Sequence, residues 1–166
     1  MRPLRDNRVH HHGFSLAELL VVIGITGILA VAVLPAFVNV LQTQQVRGAA
    51  QELVNLLNQA RQLAIATNSR YRVEIDTANN RFCFKQSTDG GNTYSACIAA
   101  PGTDNLGYRR LENQAVLSTV NVDPTFNPFG TANNSTISVQ DSRSSSSLGV
   151  VTSNTGRIRI CPPDCP

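Results

Sequence analysis

The chain is poor in the residues that most chemistry needs. Of its 166 residues none is tryptophan, one is methionine and 5% are aromatic, which rules out an extended stacking surface for bases or sugars. The three tyrosines, Tyr71, Tyr94 and Tyr108, are scattered. The only histidines, His10, His11 and His12, are adjacent and have no matching ligands downstream, so they suggest neither a zinc site nor a general base. No glycine-rich loop opens a helix to hold phosphate, the acidic residues are dispersed, and no internal repeat is apparent. These absences argue against an enzyme and imply no cofactor and no metal. Charge is also scarce: the net value of +3 falls nearly to zero once Arg2, Arg5, Arg8 and Asp6 are set aside, leaving 11 basic against 10 acidic residues. Any affinity for nucleic acid must therefore come from a local patch.

What the chain does have is one long apolar run. From Phe14 to Leu34 the only charge is Glu18, and at 1.5 Å per residue such a helix is about 30 Å long, the thickness of a bilayer core. A secretory signal peptide has a shorter apolar region that ends in small residues. Here the small-residue junction, Gly13 before Phe14, stands in front of the run, so cleavage there would keep the apolar segment. The preceding arginines stay cytoplasmic by the positive-inside rule and send the carboxyl end outward. Glu18 is costly in lipid and asks for a cationic partner; a new α-amino group on Phe14 lies one helical turn away. The bland alternative is that Glu18 snorkels to the interface.

Beyond Pro35, which can kink a helix, the pattern becomes amphipathic. Val46, Ala49, Ala50, Leu53, Leu56, Leu57, Ala60, Leu63 and Ala64 recur at helical spacing opposite Gln44, Arg47, Gln51, Asn55, Asn58 and Gln62. The helix is expected to reach about Ala66. Strand signals follow at Tyr71–Ile75, Arg81–Lys85, Arg109–Leu111, Ala115–Val122, Thr136–Val139, Gly149–Thr152 and Arg157–Ile160. Several short strands after one long helix, with no helices between them, indicate an α+β fold: a long N-terminal helix, membrane-spanning in its first half, packed on an antiparallel β-sheet domain. The expected divisions are a leader at 1–13, a membrane or filament-core helix at 14–41 and a globular head at 42–166.

Four cysteines, Cys83, Cys97, Cys161 and Cys165, would face an oxidising compartment, where an even number favours two disulfides. Three pairings are open. A hairpin turning at Gly90 would place Cys83 opposite Cys97 and leave Cys161 and Cys165 to close a short terminal loop. The serine-rich stretch at 142–147, which contains Arg143, reads as a mobile loop.

Gly13-Phe14-Ser15-Leu16-Ala17-Glu18-Leu19-Leu20-Val21-Val22-Ile23 resembles the class III signal of type IV pilins and type II secretion pseudopilins. The resemblance implies cleavage after Gly13 by a prepilin peptidase, N-methylation of Phe14, and Glu18 guiding assembly with other pilin subunits. The segment Phe126-Asn127-Pro128-Phe129-Gly130, with the terminal Thr155-Gly156-Arg157-Ile158-Arg159-Ile160, is similar to the globular domain of the GspH/FimT group of minor pilins and pseudopilins. Within that group a terminal Gly-Arg-x-Arg marks FimT-type pilins that bind DNA during natural transformation, and it falls here on Gly156, Arg157 and Arg159. The cysteine-bounded tail, Cys161 to Pro166, departs from the pattern.

In a strand Arg157 and Arg159 would share one face, their Cα atoms about 6.7 Å apart, with Ile158 and Ile160 anchoring the other. Guanidinium groups suit phosphate because they stay charged and offer forked donors. Arg143 could add a third contact if its loop folds nearby. The resulting expectation is a minor type IV pilin that binds DNA without sequence preference. The alternative is a GspH-like minor pseudopilin of type II secretion, or a pilus-priming subunit, with protein contacts only.

Overall fold

The structure, a computed structural model, describes residues 15–111, 115–143 and 146–162. Gly13, Phe14 and Cys165 lie outside that set. Among the described residues a single helix, α1 (Leu16–Ala66), is followed by eight strands. Ser15 caps the helix: its Oγ accepts a hydrogen bond from the Glu18 amide at 3.2 Å, satisfying one of the free donors of the first turn. Glu18 thus also sits where the helix dipole favours a negative charge. Pro35 does not end the helix. Its far end closes in a Schellman motif, with the amide of Ser69 bonded to the Ala64 carbonyl at 3.2 Å and that of Asn68 to Ile65 at 3.4 Å. Asn68 supplies the left-handed residue, at φ 51°.

The chain divides into two compact units between Asn39 and Val40. In the first, Leu16–Leu34 has a mean hydropathy of 2.5 and is wholly exposed, as a segment built for lipid or for other subunits would be. In the second, the apolar face anticipated for α1 is the core: Val46, Ala49, Ala50, Leu53, Leu57, Ala60 and Ala64 are completely buried. Every member of the main core cluster lies between Ala49 and Val150, so the head carries its own hydrophobic core.

The strands form two antiparallel sheets. The first has the order β3 (Arg109–Arg110), β2 (Arg81–Gln86), β1 (Tyr71–Asp76), β5 (Thr125–Phe126). The second has the order β4 (Ala115–Val120), β6 (Ser135–Asp141), β7 (Ser147–Thr152), β8 (Ile158–Cys161). Alternation decides which residues face inward: Tyr71, Val73 and Ile75 of β1 are buried, as are Ile137 and Val139 of β6. Asn80, held at φ 52° in the β1–β2 turn, joins the sheets. Its side chain donates to the Ala115 carbonyl at 2.9 Å and accepts from the Leu117 amide at 2.8 Å.

The turn expected at Gly90 forms, but no second strand returns from it. The segment after it makes one bridge, Ser87 with Tyr94, and the Ile98 amide bonds to the Phe84 carbonyl at 2.8 Å. Cys97 nevertheless reaches Cys83, and the two form a disulfide. Glu74 lies beside both sulfurs, but a bonded pair offers no thiolate to a metal. Burial pushes the Glu74 carboxyl up; hydrogen bonds from Lys85 and Tyr108, with the charges of Lys85 and Arg72, outweigh it, and the net shift is downward.

Candidate nucleic-acid interface

The arginine pair stands at the edge of the second sheet, where β7 turns into β8. The turn is narrow: the Gly156 amide bonds to the Ser153 carbonyl at 2.8 Å, and the Ser153 amide to the Arg157 carbonyl at 2.9 Å. Closing it requires a left-handed residue, which Gly156 supplies at φ +76°.

A second turn lies against the first. In Asn127-Pro128-Phe129-Gly130 the Gly130 amide bonds to the Asn127 carbonyl at 2.9 Å, with proline and glycine where such a turn favours them. The two turns are tied together. The Ala132 amide donates to the Asn154 carbonyl at 3.2 Å, and the Asn154 amide donates to Asn134 Oδ1 at 2.8 Å. Arg61 of α1 donates from Nε to the Gly130 carbonyl at 2.9 Å. Approach is so close that a Cβ on Gly156 would stand 1.9 Å from the Gly130 carbonyl oxygen. Gly156 is buried, so its role is to place Arg157 rather than to touch a ligand.

Arg157 and Arg159 are both exposed and line one groove of about 270 Å³ with Val151, Ser153, Asn154 and Thr155. Arg157 lies just ahead of β8, and Arg159 pairs across to Val151. Among the described residues neither forms an ion pair. The larger groove at Arg81, Arg109 and Arg110, about 580 Å³, differs in this respect: Arg81 pairs with Asp76 at 2.9 Å and Asp104 at 3.8 Å, which neutralises its charge.

Three expectations need correction. Ile158 packs against the core, but Ile160, opposite the buried Val150 on the edge strand β8, is 38% exposed and does not anchor the strand, since an edge strand has a neighbour on one side only. Arg143 sits on the β6–β7 turn, and the pairing of Gln140 with Ser147 and of Thr152 with Ile158 puts that turn at the opposite end of β7 from Arg157. The length of β7, about 17 Å, separates them. Gly156, as noted, is a positioning residue. Cys161 is disulfide-bonded, while its expected partner Cys165 falls outside the described residues.

Two features of the site escaped the sequence reading. Arg61 carries no signal of its own in the helical pattern, and only the fold brings it to Gly130. Phe129 is 93% exposed at the tip of its turn, and the signal was its place between Pro128 and Gly130. The tyrosines are otherwise engaged: Tyr71 is buried, and Arg72 and Arg81 lie 4.0 Å over the rings of Tyr94 and Tyr108.

The family model for type II transport protein GspH matches residues 49–156, and the prokaryotic N-terminal methylation motif matches residues 8–34. Among solved structures, the minor pseudopilin EpsH from the type 2 secretion system of Vibrio cholerae is similar in fold, with TM-score 0.56 and 17% identity over 73% of this chain and 99% of that one. The type IV minor pilin FimU of Pseudomonas aeruginosa has TM-score 0.50 and 21% identity over 72% of this chain and 90% of its own. No relative was found among curated proteins. The chain belongs to the GspH family, and it is a pilin or pseudopilin, a structural filament subunit rather than an enzyme, with one inner-membrane helix among the described residues and a head outside the cytoplasm.

Proposed function

We propose that the chain is a minor type IV pilin that assembles into a pilus and binds extracellular DNA, without sequence preference, for uptake in natural transformation. In this reading the prepilin peptidase cuts after Gly13, Phe14 is methylated, and Glu18 guides docking with neighbouring subunits. The observation that carries it is the pair Arg157 and Arg159, exposed on one groove, with no ion pair among the described residues, on a turn locked by Gly156 and Gly130. Two phosphate contacts give a salt slope of about −1.8 on duplex DNA, so binding by one subunit is weak. Many subunits or many sites would be needed for firm capture.

The test is an anisotropy titration of the head, from Gln42 on, with random duplex DNA at two salt concentrations, beside R157A/R159A. The expected result is weak binding whose salt slope falls by about 2 in the double variant. Equal binding by both proteins, or by neither, defeats the reading. One observation favours a second reading, a pseudopilin or pilus-priming subunit with protein contacts only: the family match ends at Gly156, before either arginine. That reading expects no DNA binding beyond general charge attraction.

A further inference from the structure

We infer that Phe129 is a stacking platform for an unpaired nucleobase, so that the site takes single-stranded DNA in preference to duplex; this rests on the DNA-binding reading above. Phe129 is 93% exposed, although burying such a ring is worth about 1.5–3 kcal/mol. Single exposed apolar residues are common on protein surfaces. What distinguishes this one is its mounting.

Its turn is fixed by the Gly130–Asn127 bond at 2.9 Å, by the Asn127 amide to the Thr131 carbonyl at 2.8 Å, and by Arg61 on the Gly130 carbonyl at 2.9 Å. The ring is therefore presented on a rigid backbone, which limits the ordering cost on binding. Its neighbour Gly130 touches Gly156, the neighbour of Arg157. With consecutive Cα atoms 3.8 Å apart, the Cα atoms of Phe129 and Arg157 lie no more than about 13 Å from each other.

An exposed aromatic ring on the turn next to that of two guanidinium groups, neither in an ion pair among the described residues, matches the two parts of a single strand. The arginines take phosphate oxygens, and the ring takes the face of a splayed base, whatever its identity. In a duplex both faces of a base are already stacked within the helix, and the ring has nothing to cover. Tyr94 and Tyr108 cannot substitute, since each already carries an arginine of its own chain.

The experiment uses the full chain in mild detergent with a fluorescein-labelled oligothymidylate and a random duplex of equal length. Wild type, F129A, F129Y and R157A/R159A are compared at low salt. The inference expects F129A to weaken single-strand binding about fivefold or more and duplex binding by less than about twofold, the loss of one stacking contact. F129Y keeps the ring and should bind like wild type, and the arginine variant should lose both ligands. Unchanged single-strand affinity in F129A, with loss in R157A/R159A, overturns the stacking role and leaves the DNA-binding reading intact. If F129A also fails to enter filaments while binding DNA normally, the ring is a subunit contact and the inference falls. If the wild type binds neither ligand, or the arginine variant matches it, the DNA-binding reading and this inference fall together.

Discussion

Replacing Gly156 with alanine separates two roles that a glycine can play. A residue at φ +76° pays about 1–2 kcal/mol for carrying a Cβ in the left-handed region. At Gly156 a second cost is added, because the new Cβ would stand 1.9 Å from the Gly130 carbonyl oxygen. No side-chain rotation can relieve a contact between a Cβ and a backbone oxygen, so one turn must move away from the other. That movement breaks the bond from Arg61 to Gly130 at 2.9 Å, and a hydrogen bond to a charged group is worth about 1.5–3 kcal/mol. Together the costs reach about 2.5–5 kcal/mol, a large part of the roughly 5–15 kcal/mol stability of an ordinary domain. For a head of this size the melting temperature should fall by about 10–20 °C. Gly90 and Gly102 are the controls, since they stand at φ +72° and +87° with nothing within 4 Å of a built Cβ. Alanine there should cost only the left-handed strain, about 1–2 kcal/mol. Thermal unfolding of the three variants, followed by circular dichroism on the soluble head, makes the comparison. If G156A and G90A melt together, the close approach of the two turns contributes nothing and the account of Gly156 as a positioning residue is wrong.

The Cys83–Cys97 bond spans 14 residues, and C83S/C97S should lose about 3 kcal/mol by the loop-closure argument, read as a lower urea midpoint; an unchanged midpoint would show that the Gly90 loop is already constrained without it. Asp123 is half-buried, and burial pushes its carboxyl up while the Ile75 amide, 3.2 Å from Oδ1, opposes the shift. Because the folded value is raised above 3.8, the favourable contribution of Asp123 is present below that pH and lost as pH rises through the folded value. D123N keeps an acceptor for Ile75 and should melt above wild type at pH 7, the gap closing in acid; a gap that widens in acid would reverse the assignment.

The membrane segment, the helical core face from Val46 to Ala64 and the strands around Tyr71–Asp76 and Arg81–Gln86 were legible in the chain alone, because each depends on a period of 3.6 or 2 within one stretch. The end of α1 was legible too, although its mechanism, Asn68 in a Schellman motif, was not. The short return of Thr125–Phe126 onto β1 escaped, as did the division of the strands into two sheets, since pairing partners far apart in sequence leave no local periodicity. The site shows the same boundary. Gly156, Arg157 and Arg159 form a pattern that can be read in order, and so do the Pro128 and Gly130 that bracket Phe129. That Gly156 is buried against Gly130, that Arg61 reaches them from α1 and that Arg143 ends at the far end of β7 follow only from packing the sheet on the helix. Local residue order sets the conformation of each turn, while which turn meets which is decided by burial of the shared core, a property of the whole head.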